Sequence, residues 1–169
     1  MVADTPDYDH HQTPESPPEH VPMDVNAYLS GYVDGEGCFC VSLNRSHRHR
    51  FGWEVRPSFS VSQNSDRAEV LEMLKNHFGC GSIRPDRSDR TLKYEVRSIR
   101  DLVEKVIPHF ERFPLLSGKR RDFDNFAQIC RLMLNRQHLS RGGFNQIVHL
   151  AFEMNSSGTR KYSWDEIKI

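Results

Sequence analysis

The residues best suited to chemistry are gathered in one stretch, Leu29-Ser30-Gly31-Tyr32-Val33-Asp34-Gly35-Glu36-Gly37. Gly31 and Gly35 are one helical turn apart, so they share a face on which no side chain holds a neighbouring helix away. Leu29, Tyr32 and Val33 supply bulk beside them, and Leu29, Gly31, Tyr32 and Gly35 are expected to contact a second copy of the same helix. Glu36 and Gly37 end the helix, which gathers a carboxylate and free backbone carbonyls at its negative end. Such oxygen ligands suit a hard divalent cation such as Mg²⁺. A two-fold partner would bring two such tips together, as phosphodiester cleavage by metal ions requires.

The elements around this stretch must hold it. After the first helix the pattern turns to period two: Phe39, Val41 and Leu43 face one way, and Cys38, Cys40, Ser42 and Asn44 the other. A polar loop, Arg45 to Gly52, leads to a second alternating run. There Arg56, Ser58, Ser60 and Ser62 oppose Phe59 and Val61, so the two runs form a hairpin. Asp66-x-x-Glu69 has the form of a capping box, opening a helix through Val70, Leu71, Leu74 and Phe78 that Gly79 stops. Ser82 to Arg84 begin a third strand, Pro85 to Arg90 turn, and Leu92, Tyr94 and Val96 oppose Lys93, Glu95 and Arg97 in a fourth. Ser98 caps a further helix that Pro108 strains or ends, and two more helices are expected near 119–135 and 143–154. The expected class is α+β, with all four strands presenting one apolar face to the helices.

The other sheet face is small, polar and cationic. It combines Ser42, Asn44, Ser58, Ser60 and Ser62 with Arg56, Arg84, Lys93 and Arg97, beside a loop bearing Arg45, Arg48 and Arg50. Arg bonds guanine's acceptor edge in two places, Asn does the same with adenine, and Ser serves either base. A two-stranded ribbon fits a major groove, and further cations bind phosphates. The face is therefore expected to contact DNA, with plain solvation as the alternative for any one side chain.

A formal charge of zero over 169 residues conceals this polarity. Residues 1–24 carry six acids and no Lys or Arg, leaving 23 basic against 17 acidic residues in 25–169. The first segment, with Pro6, Pro14, Pro17, Pro18 and Pro22, is expected to be a disordered acidic tail, and 25–169 a single domain. His10, His11 and His20 in the tail lack metal-ligand spacing. No apolar run approaches membrane-spanning length and no signal peptide is visible, so no membrane partner is expected. The expected location is the cytoplasm, or an organelle or nucleoid compartment. Cys38, Cys40, Cys80 and Cys130 form no C-x-x-C pair and are most simply free thiols, with zinc as the alternative. The sequence contains no G-x-S-x-G, no Walker loop and no H-E-x-x-H, and nothing in it calls for a small-molecule substrate.

The nine residues L-S-G-Y-V-D-G-E-G resemble the motif that names the LAGLIDADG homing endonucleases, and the resemblance extends over about 26–160. It implies an αββαββα fold with a curved antiparallel β-saddle and additional C-terminal helices. One motif per chain implies a homodimer that cuts both strands of a long, pseudo-palindromic DNA target and leaves 3′ overhangs. It further implies that Glu36 and the Gly35 carbonyl bind Mg²⁺, for which Mn²⁺ substitutes. Gln63, Arg67 and Lys119 match the family's polar residues around the metals, with Arg120 or Arg121 as alternatives to Lys119. Asp34 is the other candidate ligand, and its earlier place in the helix favours a structural role. The implied base readers are Cys40, Ser42, Asn44, Ser46, Glu54, Arg56, Ser58, Ser60, Arg84, Asp86, Lys93 and Glu95. An RNA maturase assisting intron splicing and a DNA-binding regulator are the other activities open to this fold.

Overall fold

The computed structural model describes residues 22–86, 91–155, 158 and 160–169. The acidic tail through residue 21, and the part of the third turn at 87–90, lie outside the described residues. Asp24 lies at the start of helix α1 (Val25–Glu36), where its side chain accepts from Asn26 N and caps the helix. Strand β1 (Gly37–Arg45) follows with no intervening loop. Gly37 makes this possible: a Cβ there would lie 2.5 Å from Val33 Cγ1 and 2.8 Å from Val33 O.

β1 pairs antiparallel with β2 (Trp53–Asn64), and β3 (Ser82–Pro85) with β4 (Thr91–Val96). β2 also pairs with β4, giving a four-stranded antiparallel sheet in the order β1-β2-β4-β3. Between the hairpins runs α2 (Glu69–Phe78), and the chain closes with α3 (Ile99–Asp101), α4 (Ile107–Arg112), α5 (Lys119–Leu134), α6 (Arg141–Glu153) and the short α7 (Trp164–Ile167). The αββαββα order with additional C-terminal helices is the one expected. Among the described residues no helix is long and apolar enough to cross a membrane.

The helices cover one sheet face, where the apolar alternation of the strands is buried. Phe39 is its hub, with ring centroids 5.2 Å from Phe59, 5.5 Å from Phe110 and 5.3 Å from both Phe123 and Phe126. All five rings are buried to within 1%. On the opposite sheet face lie the even-numbered residues of β1 and β2.

Two local expectations are corrected. The capping box before α2 does not form: Ser65–Arg67 make a 3-10 turn, and α2 starts at Glu69 without a side-chain cap. Nor does Pro108 end a helix. A π-helical turn (Leu102–Val106) joins α3 to α4, with Ile107 N bonding Leu102 O, and Pro108 falls in the first turn of α4, where its missing N–H costs little.

Continuing the helix past Pro108 brings His109 into the core against α1. Ser30 Oγ donates to Phe113 O at 2.7 Å, so it accepts from His109 Nε2 at 3.1 Å. That places the proton on Nε2 and leaves Nδ1 to accept from His77 Nε2 at 3.0 Å. Burial pushes His109 down to about 4 from 6.5, His77 adds to the shift, and Asp24 opposes it. The depressed value means that the unfolded chain takes up a proton near 6.5 that the folded chain refuses until about 4. Stability is therefore full above about 6.5 and falls through that window by up to ~3 kcal/mol. Urea unfolding at pH 7 and pH 4.5 should show this loss, and His109→Gln should be weaker at pH 7 yet lose less on acidification. Parallel losses in both proteins would show that His109 is not the titrating group.

Candidate active site

Helix α1 sorts its residues by angle. At 100° per residue, Leu29 and Val33 point to the sheet and are fully buried, while Gly31 and Gly35 point away. A Cβ built on either glycine meets nothing within 4 Å, so this face has no partner within the described chain. Tyr28 at 40% and Leu116 at 92% exposure leave further apolar surface beside it. Leu29 is thus a core residue, which corrects its expected place in a dimer contact. Tyr32 sits between the two faces, half-buried, and its hydroxyl accepts from Gln63 Nε2.

The C-terminal end of α1 draws in the expected chemistry. Lys119, first residue of α5, extends its ammonium to Val33 O at 3.0 Å and Gly35 O at 3.2 Å. A cation there is favoured by the negative end of the helix dipole. Glu36 lies next to those carbonyls with an exposed carboxylate that takes no hydrogen bond or ion pair among the described residues. Gln63 is at the adjoining end of β2: Gly37 pairs with Val61, two residues before it. Its amide donates one N–H to Tyr32 and accepts from Asn64 N at 2.8 Å. The structure thus gathers Glu36, Gly35, Lys119 and Gln63 about one helix end. Arg67 is exposed in the 3-10 turn after β2, with no hydrogen bond to the other three among the described residues.

Asp34 is held elsewhere. Its carboxylate accepts from Leu116 N at 3.0 Å, from Ser117 N at 2.9 Å and from the Ser117 hydroxyl. Burial pushes this carboxyl up, but the Ser117 hydroxyl and the two N–H donors outweigh it and hold the group below the usual carboxylate range. The structural role expected for it agrees with these bonds.

Glu36 and the Gly35 carbonyl are hard oxygen donors and fit a divalent cation of the Mg²⁺ type. They are two ligands where such an ion takes about six, so one chain offers part of a coordination shell. No cluster of three His, Cys, Asp or Glu suited to a metal occurs among the described residues, and the four cysteines are free.

The uncovered sheet face carries most of the expected readers. Cys40, Ser42, Asn44, Glu54, Arg56, Ser58, Ser60, Lys93, Glu95 and Arg84 align across the strands in register, for example Ser42 with Arg56, Ser62 with Lys93 and Arg84 with Lys93. Ser46, Arg48 and Arg50 are in the β1–β2 turn, and Asp86 closes β3, its N–H donating to Thr91 O. Several members of the set are engaged or buried within the chain. Arg45 is odd-numbered in β1 and points to the helical side, its guanidinium 4.9 Å from the Trp53 ring and 5.7 Å from that of Tyr162. Arg50 Nη1 donates to Leu139 O at 2.9 Å, tying the turn to the segment after α5. Ser60 is at the sheet centre and only 5% exposed.

Glu95 is the largest departure. It is 8% exposed, bonded by Arg84 on one side and by Arg97 on the other, with Arg97 Nη2 at 3.0 Å from Oε1 and Nε at 3.0 Å from Oε2. A carboxylate so enclosed is not free to accept from a base, and it orients two guanidinium groups instead. Glu54 likewise pairs with Arg56 at 3.1 Å. Sequence reasoning missed these pairings, and missed the Ser30–His109–His77 chain entirely. Its members are 79 and 32 residues apart, a separation over which no local pattern signals contact.

Comparison with known proteins identifies the family. Residues 29–130 match the family model described as LAGLIDADG endonuclease. The chain is 37% identical over 133 residues to "Probable intron-encoded endonuclease 3" of Neurospora crassa, covering 78% of this chain and 25% of that protein. It is 32% identical over 150 residues to "Homing endonuclease I-ApeII" of Aeropyrum pernix, covering 85% of this chain and 87% of that one. The archaeal intron-encoded homing endonuclease I-Vdi141I, solved in complex with DNA, superposes with a TM-score of 0.78 at 30% identity over 84% of this chain and 91% of its own. This chain thus spans about a quarter of the Neurospora protein's length and most of the two archaeal ones. The match covers more than half of the chain, and the chain belongs to the LAGLIDADG endonuclease family.

Proposed function

We propose that the chain is a site-specific, divalent-metal-dependent double-strand DNA endonuclease that acts as a homodimer on a long, pseudo-palindromic target. The observation that carries this reading is the meeting of Glu36, the Gly35 carbonyl and the Lys119 ammonium at the end of α1, beside the unpartnered glycine face. A pure binder has no use for an unpaired carboxylate facing phosphates, since it repels them. Two chains apposed along Gly31 and Gly35 place two such ends side by side, each near one strand.

Glu36 and Gly35 are the residues that would hold the cation, Mg²⁺ or Mn²⁺ in its stead. When bound, it activates water and offsets charge at the phosphate. Lys119 adds a fixed positive charge at the same end. Gln63, held by Tyr32, supplies an oriented amide to the surrounding water. Cutting of the two strands across the minor groove at the centre of the target leaves 3′ overhangs. The sheet face reads each half-site, with Arg56, Arg84, Lys93 and Arg97 as its cations.

The pairing at Glu95 makes a specific expectation. Glu95→Gln removes the charge that steers Arg84 and Arg97, so discrimination falls while general attraction to phosphate rises. Anisotropy titrations across a salt series should give a slope steeper by about one phosphate contact for random duplex. Binding to the selected duplex should weaken in the same variant. Weaker binding to both duplexes would contradict this account of Glu95.

Selection from a randomised duplex library in Ca²⁺, followed by addition of Mg²⁺, tests the function as a whole. Capture of one symmetric duplex that Mg²⁺ then cuts is the expected result. Capture without cutting would make the protein a DNA-binding regulator. Selection of no DNA would overturn the reading and make structured intron RNA the next substrate to try.

A further inference from the structure

We propose that Asp34 is a positioning residue for Lys119, acting by holding the Leu116–Ser117 segment against the last turn of α1. The inference rests on the nuclease reading for what Lys119 does, though not for where it sits.

Two side chains of α1 secure the segment that leads into α5. Ser30 Oγ donates to Phe113 O at 2.7 Å, and Asp34 accepts from both Leu116 N and Ser117 N. Leu115 between them is buried, but Leu116 is 92% exposed, so packing does not hold the chain where it enters α5. The Asp34 carboxylate does. Ser117 Oγ donates to Asp34 and accepts from Lys119 N at 3.1 Å, which places the first residue of α5 directly on this hydrogen-bonded chain. Gly118, at the head of α5, brings no side-chain cap of its own.

Lys119 returns the contact, its ammonium reaching Val33 O and Gly35 O on either side of Asp34 in the sequence. The two helices thus clasp each other: a carboxylate of α1 fixes the backbone of α5, and an ammonium of α5 meets the backbone carbonyls of α1. A lysine has four rotatable side-chain bonds, so its charge is defined in space only if its backbone and its tip are both held. Misplacing a catalytic group by about 1 Å costs on the order of 10²-fold in rate. Asp34 therefore reaches the chemistry through Lys119, without touching metal or DNA.

Asp34→Asn keeps the shape but offers an NH₂ where an oxygen met Leu116 N, Ser117 N or the Ser117 hydroxyl. Single-turnover cutting of the selected duplex should slow by roughly 10- to 100-fold. The affinity for that duplex in Ca²⁺ should stay within about twofold, because no DNA contact is lost. A double-mutant cycle with Lys119→Met separates positioning from general loosening. If Asp34 works through Lys119, the double variant cuts no more slowly than Lys119→Met alone. Multiplied losses in the double variant would overturn the proposal.

A second measurement reads the clasp without cutting. Lys119 in Asp34→Asn should react severalfold faster with an amine-directed reagent, followed by peptide mass spectrometry, while Lys75 and Lys168 keep their rates. Unchanged Lys119 reactivity would also overturn the proposal. If the unaltered protein cuts no selected duplex, the nuclease reading falls, and the labelling result alone decides whether Asp34 places Lys119.

Discussion

Glu36→Gln is expected to abolish cutting while leaving the protein folded and bound to its target. The side chain is exposed and takes no hydrogen bond among the described residues, so its replacement by an amide of the same shape removes no packing. What it removes is the one carboxylate at the end of α1 able to hold a hard cation. A neutral amide oxygen is a far weaker ligand, and in the proposed homodimer the partner would carry the same change, so both halves of the paired site would be affected. The loss in single-turnover rate should be at least ~10³-fold, or about 4 kcal/mol of transition-state stabilisation. Affinity for the selected duplex should hold or rise slightly, since one negative charge near phosphate is gone. Quench-flow and anisotropy on the same preparation read both quantities. Full cutting by Glu36→Gln at saturating Mg²⁺ would remove Glu36 from the mechanism.

Gly31→Leu is expected to divide stability from assembly. Within one chain the position is open, and a glycine inside a helix costs about 1 kcal/mol relative to a good helix former. At concentrations where the chain is monomeric, the variant should therefore unfold at a slightly higher urea concentration than the parent. Across a two-fold axis the same leucine enters twice, where two glycine faces allow the helix backbones to approach closely. Self-association should weaken by at least ~10²-fold, about 3 kcal/mol, a cost typical of overpacking. Cutting at low protein concentration should fall with it. Sedimentation velocity at several concentrations, paired with urea unfolding, reads both effects. A variant that stays dimeric would place the contact on another surface, and one that is less stable as a monomer would mean that the face packs within the chain.

Much of the arrangement was legible because it repeats locally. Alternation in 38–44 and 56–62 placed each strand residue on its correct face, and the spacing of Gly31 and Gly35 picked out the open side of α1. The same arithmetic assigns Leu29, which lies half a turn from Gly31 and belongs with Val33 in the core. It assigns Arg45 as well: sharing the parity of Phe39, Val41 and Leu43, it stacks on Trp53 behind the sheet. Grouping Arg45 with the loop obscured this parity. Other features had no local signal. Asp34 meets Ser117 across 83 residues, and Glu95 is buried because Arg84, from the neighbouring strand, closes over it. Pro108 looked like a helix end because a proline lacks an N–H, and the π-helical turn ahead of it is invisible to a 3.6-residue period.

The most direct test of the central claim is to map the ends left on the selected duplex after Mg²⁺ is added to the purified protein. One cut per strand is expected, placed symmetrically about the centre of the target with 3′ overhangs, and none when Ca²⁺ replaces Mg²⁺. Intact duplex in Mg²⁺, still bound with the affinity measured in Ca²⁺, would contradict that claim.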